Sequence, residues 1–455
     1  MSALNLSDLA AMVDGRLIGV DRPFDGVSTD TRNLRAGELF VALQGPNFDG
    51  HDYLQAADEQ GAAGALVEHV GDTTLSMVEV ADSLRGLGQL GRRWRLRSPA
   101  RVVGITGSNG KTTLKEMTAA ILARRGAVLA TRGNLNNEIG VPLTLTRLRD
   151  EPFAVIEMGA NHPGEIDYLS GLVRPDVAVL NNAGRAHLEG FGSIEGVARA
   201  KAEIIHGLQP GGVFVFNADD HFAGLWAGLA VQHECLSFGV AAVADISSPP
   251  GAYEVMWQGG GFQARFPVIC RQGEIEVRLQ LAGEHNRMNA LAAIAASLAA
   301  GAGLADAVAL AGLEPVPGRL CPLAGLGGAR VIDDSYNANP DSVLAALRVL
   351  SAAPGRRTLV LGDLAELGSD VERLHRLIGE QAGEFGIERL LTVGEFSGHA
   401  GRSFSGEHRH YADREALANE LTEDLSQEDS VLIKGSRSAR MEAVVERLRE
   451  GESGC

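Results

Sequence analysis

The run Gly104-Ile105-Thr106-Gly107-Ser108-Asn109-Gly110-Lys111-Thr112-Thr113 constrains this chain more than any other segment. It follows the apolar stretch 101–105 and opens a helical pattern reaching about Arg124. Strand, glycine-rich turn and helix in that order form a loop that wraps a phosphate. Its curled backbone N–H groups and the helix N-terminus both offer positive potential to an anion. Gly107 and Gly110 permit the curl. Lys111 is placed for the β- and γ-phosphates of a nucleoside triphosphate, and the Thr112 hydroxyl for Mg²⁺. A strict motif would have glycine at 105, where Ile105 stands. A glycine-rich turn with an incidental Lys-Thr is the competing reading, and the agreement of strand, loop and helix favours the phosphate site.

Around this loop the pattern predicts an α/β protein with three domains, at residues 1–97, 98–314 and 315–455. A chain of 455 residues exceeds what one hydrophobic core organises. In the first unit, residues 38–43 and 64–68 read as buried strands and 80–97 as a helix, with a basic run and Pro99 as linker. In the second, the apolar runs 153–157 and 177–180, both ending at polar residues, alternate with helical patterns, predicting a parallel sheet covered on both faces. Residues 239–281 alternate polar and apolar like an antiparallel meander, and an alanine-rich helix is expected over 287–300. The third unit begins after Pro315 and Pro317. Strands at 330–333, 358–362, 389–393 and 430–433, separated by helices at 341–352 and 372–385, predict a second, Rossmann-like sheet.

Composition narrows the function. Lys and Arg number 41 against 58 Asp and Glu, a formal charge of −17, which argues against a phosphate-tracking nucleic-acid binder. The four cysteines, Cys235, Cys270, Cys321 and Cys455, form no CxxC pair and suggest neither a zinc ribbon nor a dense disulfide framework. There is no basic-then-apolar leader and no run of about 18 apolar residues, so a cytoplasmic protein without membrane insertion is expected.

Six further segments lie in order along the chain. They are 157–166 (Glu-Met-Gly-Ala-Asn-His-Pro-Gly-Glu-Ile), 181–192 (Asn-Asn-Ala-Gly-Arg-Ala-His-Leu-Glu-Gly-Phe-Gly), 200–204, 283–290 (Gly-Glu-His-Asn-Arg-Met-Asn-Ala), 333–340 (Asp-Asp-Ser-Tyr-Asn-Ala-Asn-Pro) and 434–438. With the shortened loop 106–113, they resemble the Mur ligases and the folylpolyglutamate synthases over nearly the whole chain. The His-Leu-Glu-Gly-Phe-Gly and Tyr-Asn-Ala-Asn-Pro segments favour the Mur branch that joins D-alanyl-D-alanine to UDP-N-acetylmuramoyl-tripeptide. The Asp-Asn-Pro-Arg motif of the diaminopimelate-adding branch does not occur. The resemblance implies a three-domain Mur ligase architecture with a central phosphate-loop ATPase domain. It also implies an ADP-forming amide ligation through an acyl phosphate, ATP with two Mg²⁺, and a monomer. Another amide ligase of the same fold and a nucleotide-controlled switch are the rival classes.

Some site residues stand on chemistry alone. Glu157 ends a buried strand, where a carboxylate is costly without a cation or hydrogen bonds, so a metal role is favoured over capping. Others take their role from the resemblance. His187 would otherwise be a satisfied loop histidine, and the resemblance places a second magnesium near it. Lys201 would otherwise be a solvated helix lysine, and the resemblance makes it the lysine that reacts with CO₂ to give a carbamate ligand. The nucleotide site is thereby expected at Gly107, Ser108, Asn109, Gly110, Lys111, Thr112 and Thr113, with Asn286 and Asn289 on one helix face. Arg319 is expected on the γ-phosphate and Asp334 at the ribose, with Asp333 its rival. Ser28, Thr29, Thr31, Arg32 and Asn47 resemble the UDP-holding segments, although a turn plus a cap explains them equally well. Asn134, Asn136 and Asn137 form a polar loop toward the nucleotide-sugar channel. Lys434 and Ser436 follow an apolar strand and are placed to meet the acceptor's carboxylate.

Overall fold

The computed structural model describes residues 4–258 and 260–451; Cys455 lies outside them. Three sheets organise the chain. The first has the order Arg16–Ile18, Met77–Glu79, Gly64–Val67, Leu39–Val41, Val27–Ser28, parallel except for its Arg16–Ile18 edge. Helix Ser83–Leu96, capped by the Asp82 carboxylate on the Arg85 N–H, fastens this unit to the next. The Trp94 indole donates to Leu148 O (2.8 Å), and the Arg95 guanidinium donates to Val173 O and Asp176. The basic run expected in a linker is therefore the last turn of this helix. Arg95 is only 5% exposed because an aspartate and three carbonyls draw it inward.

The central sheet has ten strands. Seven run parallel in the order Val128–Ala130, Phe153–Glu157, Arg101–Thr106, Val177–Leu180, Val213–Asn217, Glu234–Gly239, Ile246–Ser247. The antiparallel part expected from 239 begins later, with Glu254–Gln258, Gly261–Cys270 and Gly273–Leu279, because Ile246–Ser247 still pairs parallel. Helices Lys111–Leu122 and Glu284–Ala299 cover one face, and Gly140–Leu145, Glu165–Val173 and Ile194–Ala202 cover the other. Both faces are thus apolar, as the unbroken hydrophobic strands demand.

The third sheet runs Cys321–Ala324, Arg330–Asp334, Asp429–Lys434, Arg356–Gly362, Arg389–Val393, Glu407–Tyr411, parallel except for its first strand. Helices Pro340–Ser351 and Val371–Glu384 pack on one face, Arg414–Asp424 and Glu442–Leu448 on the other. Strand Arg101–Thr106 lies between the strands that follow it in sequence, so its carboxyl end opens a crevice where the strand order reverses. The third sheet faces this crevice with the ends of two neighbouring strands, where Asp334 and Lys434 sit in register.

Candidate active site

The crevice is a cavity of about 790 Å³ shared by the central and C-terminal units. On the central side its wall is Ser108–Thr113, with Glu157, His187, Asn286 and Asn289; on the other it is Arg319, Asp334 and Lys434. The structure therefore brings together nearly the whole nucleotide set read from the sequence, and Asn134, Asn136 and Asn137 join it.

The loop's shape follows from its glycines. Gly107 has φ 151° and Gly110 φ 79°, and a Cβ on Gly110 would lie 2.4 Å from Asn289 Oδ1. Such an approach in a left-handed backbone admits only glycine. Lys111 starts the helix and folds back over the loop, its Nζ donating to Gly107 O (2.7 Å) and Ser108 O (3.2 Å). Burial lowers the Lys111 pKa; Glu157 opposes this and Arg319 adds to it.

A chain of buried amides pins the loop. Asn286 Nδ2 donates to Ala282 O, Asn289 Nδ2 to Asn286 Oδ1, and Asn181 Nδ2 to both Asn289 Oδ1 (2.8 Å) and Asn109 O (3.0 Å). Asn182 completes the cradle, accepting from the Asn109 N–H and donating to its carbonyl. Sequence reasoning gave Asn181 and Asn182 no role of their own. The available signal was two consecutive amides directly after a buried strand, a place where each needs partners.

Glu157, 2% exposed, accepts from Thr112 Oγ1 (2.9 Å) and Asn136 Nδ2 (2.8 Å). A buried carboxylate satisfied by neutral donors beside a phosphate loop fits a hard divalent cation, whose charge would offset its desolvation. Lys201 stands just behind this wall, its Nζ donating to Ala160 O (3.0 Å) and lying 5.1 Å from the centre of the Phe191 ring. Burial, reinforced by Lys111, brings its pKa from 10.5 down to about 7. An amine that is substantially neutral near pH 7 is a nucleophile, whereas an ordinary lysine is not. His187, in a left-handed conformation, abuts the Glu366 carboxylate of the C-terminal unit. Burial lowers its imidazole pKa, Glu366 working against that and Lys111 and Lys201 with it.

Across the crevice, the Arg319 guanidinium stacks 4.4 Å from the centre of the Tyr336 ring. Asp334 accepts from Lys434 Nζ (2.6 Å) and the Leu320 N–H (3.2 Å). Burial raises its pKa and Lys434 opposes the rise. The neighbouring Asp333 is spent on its own turn, taking hydrogen bonds from the Gly318 and Ser335 N–H groups and the Ser335 hydroxyl. Lys434 is 1% exposed and held by Asp334 and Asn337 O, so it forms the floor of the nucleotide cavity rather than a free basic patch. Ser436 is buried outside that wall, its N–H donating to Asp363 O.

The front residues lie elsewhere. Ser28 Oγ bonds the Asp30 backbone, Asp30 caps Thr31–Asn33 and pairs with Arg32, and Thr29 sits within the same turn. Asn47 is exposed in the hairpin joining Gln44–Gly45 and Phe48–Asp49. None of Ser28, Thr29, Thr31, Arg32 and Asn47 lines the cavity.

Two cross-unit contacts complete the crevice. Asn339 Nδ2 donates to Asn109 Oδ1 (2.7 Å), and the Asp341 carboxylate takes the Arg185 N–H (2.6 Å) and its guanidinium Nε (2.8 Å). Asn339 also caps helix Pro340–Ser351.

A phosphate loop in a crevice closed by a second nucleotide-facing sheet defines an ATP-dependent synthetase-like class. Comparison with known proteins specifies it. Three family descriptions match successive segments: the Mur ligase family catalytic domain over 23–87, the Mur ligase middle domain over 105–297, and the Mur ligase glutamate ligase domain over 318–437. The chain is 45% identical to the UDP-N-acetylmuramoyl-tripeptide–D-alanyl-D-alanine ligase of Escherichia coli K12, covering 99% of each protein. It is 34% identical to that of Bacillus subtilis 168, covering 98% of each. Among solved structures it superposes on MurF from Acinetobacter baumannii with TM-score 0.91, 36% identity and 98% coverage of both chains. On the MurF ligase from Thermotoga maritima in complex with ADP the TM-score is 0.82, with 30% identity and 93% and 96% coverage. The chain belongs to the Mur ligase family.

Proposed function

We propose that this protein joins the terminal carboxylate of UDP-N-acetylmuramoyl-tripeptide to the amine of D-alanyl-D-alanine. ATP is converted to ADP and phosphate, and the product is the UDP-muramoyl-pentapeptide precursor of peptidoglycan. The observation that carries the reading is the single cavity in which the phosphate loop faces Arg319, Asp334 and Lys434. Full-length similarity to ligases of that name supports the choice of substrates.

The roles are assigned from position together with the likeness to the Mur ligases, within domains taken as 1–97, 98–314 and 315–455. Ser108–Thr113 and Lys111 hold the phosphates, Asn286 and Asn289 fix the loop that does so, and Asp334 holds the ribose. Thr112 and Glu157 would hold one Mg²⁺, and His187 with a carbamylated Lys201 a second; when bound there, the ions would supply charge neutralisation at the phosphate oxygens. Lys111 and Arg319 add positive charge at the γ-phosphate while the tripeptide carboxylate attacks it. The amine of the dipeptide then attacks the acyl phosphate, and the tetrahedral adduct collapses to amide and phosphate. No covalent enzyme intermediate is required, so positioning carries most of the rate, and the closed crevice keeps water from the acyl phosphate. Ser28, Thr29, Thr31, Arg32 and Asn47 hold the UDP end at a distance from the chemistry, and Asn134, Asn136 and Asn137 line the path between. Lys434 and Ser436 border the acceptor side. The protein works as a cytoplasmic monomer; among the described residues no helix is long and apolar enough to cross a membrane.

The test is product formation from UDP-muramoyl tripeptide, D-alanyl-D-alanine and ATP, with Lys111→Ala as control. ADP and amide should appear one for one. Absence of product from that pair refutes the named activity, and ATP turnover without amide would favour a switch. For the carbamate, Lys201→Ala should be inactive and partly restored by short carboxylic acids; an undiminished variant rules it out.

A further inference from the structure

Between Asp334 and Asp341, one short segment of the C-terminal domain places four side chains at the crevice. Asp334 lines its wall, and the Tyr336 ring carries the Arg319 guanidinium. The Asn339 amide and the Asp341 carboxylate cross to the central domain, both from the start of helix Pro340–Ser351. The Asn339 carboxamide is divided between two tasks. Its Oδ1 accepts from the Ser342 N–H (2.9 Å), which caps the helix, and its Nδ2 donates to Asn109 Oδ1 (2.7 Å) on the phosphate loop. Serine caps a helix as well as asparagine does, so capping alone does not call for an amide.

Asn109 is pinned from two directions. Its backbone is held within the central domain, the N–H by Asn182 and the carbonyl by Asn181 and Asn182, whereas its side-chain oxygen is held by Asn339 from the other domain. The next residue, Gly110 with φ 79°, is the N-cap of helix Lys111–Leu122, whose first residues line the crevice with N–H groups that have no partner inside the helix. Asp341 seats the same helix start on the neighbouring loop, where Gly184 leaves the room: a Cβ there would lie 2.8 Å from Asp341 Oδ2.

We infer that Asn339 is a positioning residue for the phosphate loop: acting through Asn109, it makes docking of the C-terminal domain and binding of the ATP phosphates favour each other. This rests on the reading of the loop as an ATP site. The coupling is reciprocal, so losing the contact weakens ATP binding, and saturating ATP restores docking. The loss therefore falls on the KM for ATP rather than on kcat. One half-buried hydrogen bond between neutral amides corresponds to a change of about fivefold.

The experiment is calorimetric titration of the full-length protein with adenosine 5′-(β,γ-imido)triphosphate and Mg²⁺, alongside ligation kinetics. Asn339→Ser keeps the cap and removes the donor. It should raise the Kd of the analogue and the KM for ATP by the same factor, about fivefold, with the nucleotide-free melting temperature unchanged. Asn109→Ala removes the acceptor, and adding Asn339→Ser to it should weaken binding no further. If wild type does not bind the analogue, the ATP reading fails and the inference falls with it. Binding without ligation would sink the named substrates and leave the calorimetry to decide the inference. If wild type binds and Asn339→Ser binds within about twofold of it, the inference alone is overturned. It is overturned equally if Asn339→Ser still weakens binding in the Asn109→Ala background, or if the loss falls on kcat with the KM for ATP unmoved. A lowered nucleotide-free melting temperature in Asn339→Ser would assign Asn339 to capping alone, and likewise overturn it.

Discussion

Replacing Lys201 by methionine should stabilise the protein and abolish its activity. Lys201 is 1% exposed and its pKa falls from 10.5 to about 7. Below pH 7 both folded and unfolded chains carry the charge, and keeping it buried costs roughly 5 kcal/mol at about 1.4 kcal/mol per pH unit of displacement. Between about 7 and 10.5 the folded chain binds fewer protons than the unfolded one, so stability rises with pH across that window. From pH 7 to pH 9 the gain should be about 2–3 kcal/mol. Methionine fills the same space beside Phe191 with no charge and forfeits the hydrogen bond to Ala160 O, worth about 1 kcal/mol, and the cation–π contact with the Phe191 ring, worth about as much.

The assay is urea denaturation of wild type and Lys201→Met at pH 7 and pH 9 in CO₂-free buffer. CO₂ must be excluded because a carbamate would replace the titrating amine. Other groups cancel in the double difference. Methionine should be the more stable at pH 7, and its advantage should shrink by about 2–3 kcal/mol at pH 9. A double difference under about 0.5 kcal/mol, or one of opposite sign, would show that Lys201 is not held as a costly ammonium. Its readiness to react with CO₂ would then have no physical basis.

Gly110→Ala places a Cβ 2.4 Å from Asn289 Oδ1 at φ 79°, and should lower stability by about 2 kcal/mol and ATP affinity at least tenfold, read by denaturation and calorimetry. Lys434→Met strands the buried Asp334 carboxylate and should cost about 3–5 kcal/mol in a denaturant titration; adding Asp334→Asn should recover much of it. Asp341→Asn weakens a half-buried contact with Arg185, so the KM for ATP should rise about fivefold, equivalent to about 1 kcal/mol, while the melting temperature stays constant.

What the sequence reveals is uneven for physical reasons. Strands Phe153–Glu157 and Val177–Leu180 coincide with their predicted spans, because burial on both faces writes an unbroken apolar run bounded by polar residues, and Arg389–Val393 coincides through Leu390, Leu391 and Val393 although Thr392 interrupts the run. Edge strand Glu407–Tyr411, mostly exposed, leaves no such mark and was not read. The phosphate loop was legible because its backbone conformation restricts residue type. Asp333 and Asp334 were not separable in sequence, since adjacent strand residues differ only in which face they meet; the chain puts one into its own turn and the other against Lys434. Asn109–Asn339 and Arg185–Asp341 join residues 230 and 156 positions apart, and neither periodicity nor local propensity carries information at that range.

The distribution of charge is the remaining step. The chain as a whole carries −17, yet Lys111, Arg319 and Lys434 line the crevice of about 790 Å³, with Lys201 directly behind the wall. Concentrating cations where water is scarce destabilises them, which is why burial lowers the pKa of Lys111 and Lys201. Among the described residues, Lys434 alone of these four has a carboxylate partner at hydrogen-bond distance, Asp334. Lys111 and Lys201 donate to backbone carbonyls instead, and Arg319 rests on an aromatic ring. A site of this kind is preorganised for a polyanion, since the anion meets in Lys111 and Arg319 cations that need not first break an ion pair. An acidic exterior keeps other anions from competing nonspecifically, so selectivity for a nucleotide is set by the crevice rather than by the surface.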